Sequence, residues 1–402
     1  MVNPSRIALC MVLFVAYAQV PLLSLSALSV DRLKATVEWL SDPALDGRQS
    51  QSPGAKAAAD YLLERFTELG LSAKLQDIGP GRRNVVARWG TAAAHVIIGA
   101  HYDGQGMGYR SASDNAAGVA VMLELARELR DVELPVSLVF IAFDDEERGL
   151  NGSRHYTREP VYPLEDARAV IIMDTLGRSF VDLERWTLVV FGTEFSPELA
   201  SIVERRRTPE MLPLGTDLLG PRSDFAPFAA NQVPYLFFTN GTHKDYHGGG
   251  DIPDRLRYDR LQSDAETIKQ IVVDVASAGD EPTYLDAPVY PEGEYDQLGR
   301  FLDAIEDEHE DLSQSYHVMF ADLRERLEVR PTRENLGLAI SIMLSAATPR
   351  VSSFALSYLI GPLYESEGKR EIAVAVYTEA LKWTPNPFAR KTLEEKIQSL
   401  QH

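Results

Sequence analysis

Several apolar runs in this chain end in side chains that bind metals or move protons. HVIIGA, residues 95–100, delivers His101 and Asp103, and VSLVFIAF, residues 136–143, runs into Asp144, Asp145, Glu146 and Glu147. ARAVIIM, residues 167–173, ends in Asp174, and VPYLFFT, residues 233–239, opens a loop that holds His243 and His247. Asp114 stands between the first two runs. Imidazoles and carboxylates are ligands for divalent metals, and two ions that share a bridging carboxylate need about five protein groups at a separation of about 3.5–4 Å. His101 with Asp103, Asp114, Glu146 with Glu147, Asp174 and His247 supply five such points. An Asp-Asp-Glu-Glu run elsewhere reads as a solvated face. Directly after a buried apolar run it reads as a strand-end cluster. Adjacent Glu146 and Glu147 can then take different roles, because irregular backbone frees them from the alternation of a regular strand.

The elements that must position these groups follow from the apolar pattern. Short β-branched runs bounded by Gly suit buried strands of a parallel sheet. Between the runs at 95 and 136, Gly118, Val121, Met122, Leu125, Ala126 and Leu129 fall on one helical face. The result is a strand-helix-strand unit, and open α/β sheets bind ligands beyond the carboxyl ends of their strands. Asp114 before the helix also suits an N-cap, a role compatible with ligation. Further strands are expected at 84–89, 186–192 and 233–239, with flanking helices from 30 to about 70 and from 261 to about 277.

Composition bounds the function. At 402 residues with 45% apolar and 25% charged residues the chain is globular and long enough for two domains. The 59 acidic against 40 basic side chains give a formal charge of −19, which repels nucleic acid and anionic lipid. Arg6, the apolar run from Ile7 and the small residues Ala27 and Ser29 have the layout of a signal peptide over residues 1–29, so the protein is expected to be exported. Retention of that segment would make it a membrane anchor. Cys10 is the only cysteine, and it lies in that segment. A mature chain would have no disulfide, thiol nucleophile or thiolate metal site. Ser111, Ser113 and Ser223 lack the G-x-S-x-G context of a serine hydrolase.

The catalytic domain is expected over residues 30–279, a Pro, Gly and acid-rich linker over 280–295, and an all-α helical-repeat domain over 296–402. Gly361, Tyr364, Ala373, Tyr377, Ala380 and Pro385 resemble a tetratricopeptide repeat, and Ala339, Met343 and Ala346 repeat part of it 34 residues earlier. This region is expected to dock a protein partner or pack on its own catalytic domain, and not to read substrate.

Taken together, H-x-D, S-D-N-x-x-G, E-E-x-G-L-x-G-S, a strand ending in Asp, R-S-D and Y-H resemble the co-catalytic di-zinc exopeptidases of peptidase family M28, which includes bacterial leucyl aminopeptidases. The resemblance spans about residues 30–277. It implies an α/β fold, a mostly parallel mixed sheet sandwiched by helices, and two zinc ions per chain. His101 and Asp174 would bind one ion, Glu147 and His247 the other, and Asp114 would bridge them. Glu146 would be the general base, with Asp103 orienting His101 from behind. A cis peptide between Asp114 and Asn115 is also implied.

His243 remains a fallback ligand, and Asp224 is given no metal because Phe225 follows it where relatives often have His. His95, His155, His309 and His317 are read as surface or packing residues. The leading expectation is an aminopeptidase acting on peptides with a free N-terminus. Arg110, Arg178 and Arg222 keep a carboxypeptidase open. A glutaminyl cyclase on the same fold stays open too, as does a non-catalytic scaffold working through the helical repeats.

Overall fold

The computed structural model describes residues 28–308 and 312–401. The expected signal segment through residue 27, with Cys10, lies outside the described residues, as does His309. Among the described residues no helix is long and apolar enough to cross a membrane.

The first described residue, Leu28, is buried, and the Ser29 hydroxyl accepts the Arg32 amide and caps helix α1 (Val30–Leu40). Helix α2 (Pro53–Glu68) starts in the same way, with Ser52 as cap and Pro53 in the first turn. Eight strands follow in one sheet: β1 (Ser72–Gly79), β2 (Arg82–Trp89), β3 (His95–His101), β4 (Ser137–Phe143), β5 (Ala167–Met173), β6 (Leu188–Phe191), β7 (Met211–Pro213) and β8 (Tyr235–Thr239). Their order is β1-β2-β4-β3-β5-β8-β6-β7. The central four, β4, β3, β5 and β8, are parallel. Antiparallel β2 and β6 flank them on either side. The apolar pattern does not mark β1, whose residues are mostly half-exposed, or the three-residue β7. An edge strand covered on one face lacks the continuous apolar run that identifies β3 and β4.

Alternate residues of the central strands feed two separate cores, as the period of two in a pleated strand requires. Val96, Ile98, Leu138, Phe140 and Ile171 pack with α1, α2, α3 (Ala117–Leu129) and α7 (Tyr258–Ser277). Ile97, Val139, Ile141, Val170 and Ile172 face the other side. There they share a core with α4 (Asn151–Arg158), α6 (Phe225–Ala230) and the C-terminal helices, while the short α5 (Pro197–Arg205) belongs to the first core.

The C-terminal region consists of α8 (Glu294–Glu308), α9 (Gln314–Val329), α10 (Arg333–Ala347), α11 (Pro349–Ala355), α12 (Gly361–Ser366), α13 (Arg370–Trp383) and α14 (Pro387–Gln401). Tyr364, Ala373, Tyr377 and Ala380 are buried, as are Ala339 and Met343, and Gly361 lies directly under the Tyr377 ring. The segment before α8 runs along the α/β part of the chain: the amides of Leu285 and Val289 donate to the carbonyls of Phe195 and Glu194 at 2.7 and 2.8 Å. Tyr284 stacks on Phe195 at 5.1 Å. Arg333 pairs with Asp217 and Glu294 and lies 3.7 Å over the Tyr290 ring. Phe301 of α8 meets Phe180 edge to face at 5.6 Å. The helices therefore complete the second face of the sheet.

Phe301→Ala should cost about 3–5 kcal/mol in a urea unfolding experiment, because it opens a cavity in that shared core. An unchanged midpoint would mean that the helices contribute nothing to the stability of the sheet.

Candidate active site

Because β3, β4, β5 and β8 are parallel, their carboxyl ends lie along one edge of the sheet. Register then sets the neighbours: Gly99 is opposite Ile172, so His101 and Asp174 emerge side by side. His101 is also opposite Phe143, the residue from which the acidic run departs.

Asp114 reaches the same point through the turn before α3. Its peptide bond to Asn115 is cis, as the resemblance implies. The Asn115 side chain donates to the Met173 carbonyl at 2.9 Å and accepts from the Gly118 amide at 3.0 Å, tying the helix start to the end of β5. A Cβ on Gly118 would come within 2.2 Å of Asn115 Oδ1 and 2.9 Å of the Met173 carbonyl, so this close approach requires glycine. On the other side, the Asp251 carboxylate accepts from the amides of Ser113 and Asp114 at 2.9 and 3.2 Å.

The four acids after β4 divide their work. Asp144 accepts the Arg83 amide at 3.0 Å, and Asp145 accepts from Arg82 at 2.8 Å and from the Asn151 side chain at 3.0 Å. Both are buried structural groups. The amides of Glu146 and Glu147 donate to the two oxygens of Asp103 at 3.1 and 3.4 Å. Asp103 thus holds the backbone of both glutamates. Its carboxylate is 3.6 Å from His101 Nδ1, longer than a hydrogen bond, and that nitrogen instead faces the Asp103 carbonyl at 3.2 Å.

The five expected metal ligands converge as two triads that share Asp114. His101, Asp114 and Asp174 form one, and Asp114, Glu147 and His247 form the other, with one ligand atom of each residue within 4.8 Å of the others. Asp114 Oδ1 is 3.3 Å from His101 Nε2, which is 3.2 Å from Asp174 Oδ1. Asp114 Oδ2 is 3.0 Å from His247 Nε2, which is 3.3 Å from Glu147 Oε2. One carboxylate thus offers one oxygen to each side. Asp114 Oδ2 and Glu147 Oε1 are buried without a hydrogen-bond partner among the described residues, and the donor set is entirely nitrogen and carboxylate oxygen. Such a set fits two divalent cations.

Without a cation the charges are frustrated. Burial pushes Glu147 up to about 7, with the Asp114 carboxylate adding to the shift. Burial also lifts Glu146 well above the usual carboxylate range; His101 pulls it down, and Asp174 pushes it further up. Burial opposes the charged form of His247, yet Asp114 and Glu147 raise it to about 10. His101 is raised in the same way, chiefly by Asp174 and Glu146 against the effect of burial.

His243, the fallback ligand, lies outside both triads. Its Nδ1 accepts the Asp245 amide at 3.3 Å, so Nε2 carries the proton and donates to Ser113 Oγ at 2.7 Å. Ser113 donates onward to Asp251 at 2.8 Å. Burial and Arg178 lower His243 to about 4, which keeps it neutral in this chain of bonds. Asp224 is fully buried, and burial raises it to about 7.

Positioning residues complete the site; Ser223 lies in the R-S-D motif, whereas Gln105 and Arg48 carry no signal in the sequence. Ser223 donates to Asp174 Oδ2 at 2.8 Å, which explains the R-S-D motif without a metal role for Asp224. The Gln105 side-chain amide donates to Glu147 and lies 3.2 Å from His247 Nε2. Arg48 is fully buried and donates to the carbonyls of Tyr102, Arg110 and Ser111 at 2.9, 3.1 and 2.9 Å and to that of Leu40. It clamps both ends of the loop from β3 to Asp114. No local pattern marks a lone arginine for this role, because its partners are backbone carbonyls distant in sequence.

Two outcomes are expected. At pH 7 the raised His101 and His247, and part of Glu147, hold protons that a metal must displace, so zinc titrated into metal-free protein in dilute buffer should release on the order of two protons per chain. Binding without acidification would place the metal elsewhere. Arg48→Met leaves four carbonyls without their donor and should lower stability by about 3 kcal/mol or more while weakening zinc retention on dialysis. Unchanged zinc content would show that the loop holds without the clamp.

The comparisons with known proteins agree with this geometry. The sequence model described as peptidase family M28 matches residues 84–272, which contain every residue of both triads. The aminopeptidase YwaD of Bacillus subtilis is 27% identical over 198 residues, covering 46% of this chain and 42% of that protein. Among solved structures, the LapA aminopeptidase of Legionella pneumophila matches with a TM-score of 0.56 at 21% identity, covering 63% of this chain and 73% of that one. The glutaminyl cyclase of Porphyromonas gingivalis matches with a TM-score of 0.53 at 20% identity, covering 61% of this chain and 98% of that one. At these identities the two structures establish the fold alone. On the family match and the fold, residues 84–272 of the chain carry a peptidase family M28 domain.

Proposed function

We propose that the protein is an exported aminopeptidase that uses two zinc ions held by His101, Asp114, Glu147, Asp174 and His247. The observation that carries this reading is the single carboxylate of Asp114 divided between two triads, with Glu146 buried beside them. Zinc in such a site supplies Lewis acidity, polarising the scissile carbonyl and acidifying water. The chain's own residues do the rest. Glu146 takes the proton of the attacking water as its oxygen bonds to the carbonyl carbon. It then delivers that proton to the leaving amine as the C–N bond breaks. Asp103 fixes Glu146 and Glu147 through their amides, so base and ligand keep their separation during proton transfer. The peptidase family M28 domain over residues 84–272 and the similarity to the aminopeptidase YwaD support peptide hydrolysis. Export rests on the apolar run from Ile7 and the small residues at 27 and 29.

A carboxypeptidase needs a cation for the substrate carboxylate. Arg178 is engaged by Asp182 and Asp245, and Arg110 donates to the Ser41 carbonyl, whereas exposed Arg222 lies at the edge of the cavity beside Asp174. Only Arg222 therefore supports a carboxypeptidase.

Glu146→Gln should lower kcat by about 10²–10⁴-fold while the metal content stays near two zinc ions per chain. Unchanged turnover would remove Glu146 as the base. Mass spectrometry of a peptide pool, half of it N-acetylated, should show stepwise loss from free N-termini only. Loss from C-termini would assign a carboxypeptidase, and loss of ammonia from N-terminal Gln a cyclase.

A further inference from the structure

A cavity of ≈160 Å³ opens beside the metal-ligand cluster, with Asp174, Ser223 and Tyr246 at its near end. Tyr246 stacks on His247 at 3.9 Å, so this end touches both triads. The sheet contributes Val189, Phe191 and Phe237 as one wall. The opposite wall comes from outside the family-matched domain: Leu298 and Phe301 of α8, and Ile340 and Met343 of α10. Ile340 and Met343 are one helical turn apart, so one face of α10 presents both. Among the described residues the helices bring no charged group to the cavity, and Thr348 and Ser352 are the polar residues they contribute. A dry apolar cavity of about 150 Å³ is large enough to take benzene.

We infer that the C-terminal helices build the subsite for the side chain of the substrate's first residue, and that α8 and α10 select a bulky apolar one such as leucine or phenylalanine. The inference rests on the aminopeptidase reading and extends it to the origin of specificity. A terminal residue whose carbonyl lies at the triads directs its side chain past Asp174 and Tyr246 into the space between the sheet and α10. An apolar pocket discriminates by about 10–200-fold for each methylene it accommodates. Leucine, three carbons larger than alanine, should therefore exceed it by about three orders of magnitude or more. The helices expected to dock a partner would thus read substrate, because they close the open side of a pocket that the sheet only half encloses.

The test uses the full, zinc-loaded chain with the 4-nitroanilides of leucine, phenylalanine and alanine. Ile340→Trp fills the cavity and should lower the leucine-to-alanine ratio of kcat/KM by about tenfold or more. Met343→Ala enlarges it and should raise the phenylalanine-to-leucine ratio. Calorimetric binding of free leucine and phenylalanine should shift in the same directions. Opposite changes from two variants on one helix face cannot arise from a common folding defect. Ratios and product affinities that stay within twofold in both variants, with the wild type active, would overturn the subsite and leave the aminopeptidase reading intact. A wild type that releases no N-terminal residue would overturn both.

Discussion

The arrangement around Asp114 governs the rest of the molecule. Asp103, Asp114, Glu146, Asp174, Asp224 and Asp251 are all buried in one region, and like charges in a poorly solvated interior repel strongly. His101, His247 and the fully buried Arg48 offset only part of that charge. The upward shifts of Glu146, Glu147 and Asp224 express the deficit, and divalent cations between the triads would remove it. A cluster of this kind is stable only if the surrounding backbone fixes every carboxylate. Arg48, Asn115, Ser223, Asp251 and the amides held by Asp103 perform that task.

The sheet supplies the platform. Parallel strands deliver His101, the acidic run and Asp174 to one edge, and each strand is apolar throughout because helices cover both of its faces. One set of helices is local in sequence, α1 to α3 and α7. The other is supplied largely by the C-terminal region, so the helical region and the catalytic domain share one core. Fold and cavity are coupled through this arrangement: residues that bury the second face of the sheet also line the cavity next to the two triads.

A good deal of this was legible in the residues. The apolar runs at 95, 136, 167 and 233 marked the central strands, because a strand covered on both faces must be apolar along its whole length. The polar groups at their ends marked the site, and the six ordered motifs implied the five ligands. The half-exposed strand β1 carried no such run. Arg48 and Gln105 lay beyond reach as well, since their partners are assembled from segments far apart in sequence.

By itself the sequence determined the class of chemistry, the order of the strands along the chain and the residues at their ends, because burial and ligand type are properties of side chains and their local spacing. Only the tertiary structure decided that Asp114 divides its two oxygens between the triads, that Asp103 holds the glutamate amides more closely than His101, and that the C-terminal helices form a wall of the cavity. These depend on strand register and on the packing of one region against another, and neither is encoded in any short stretch of the chain.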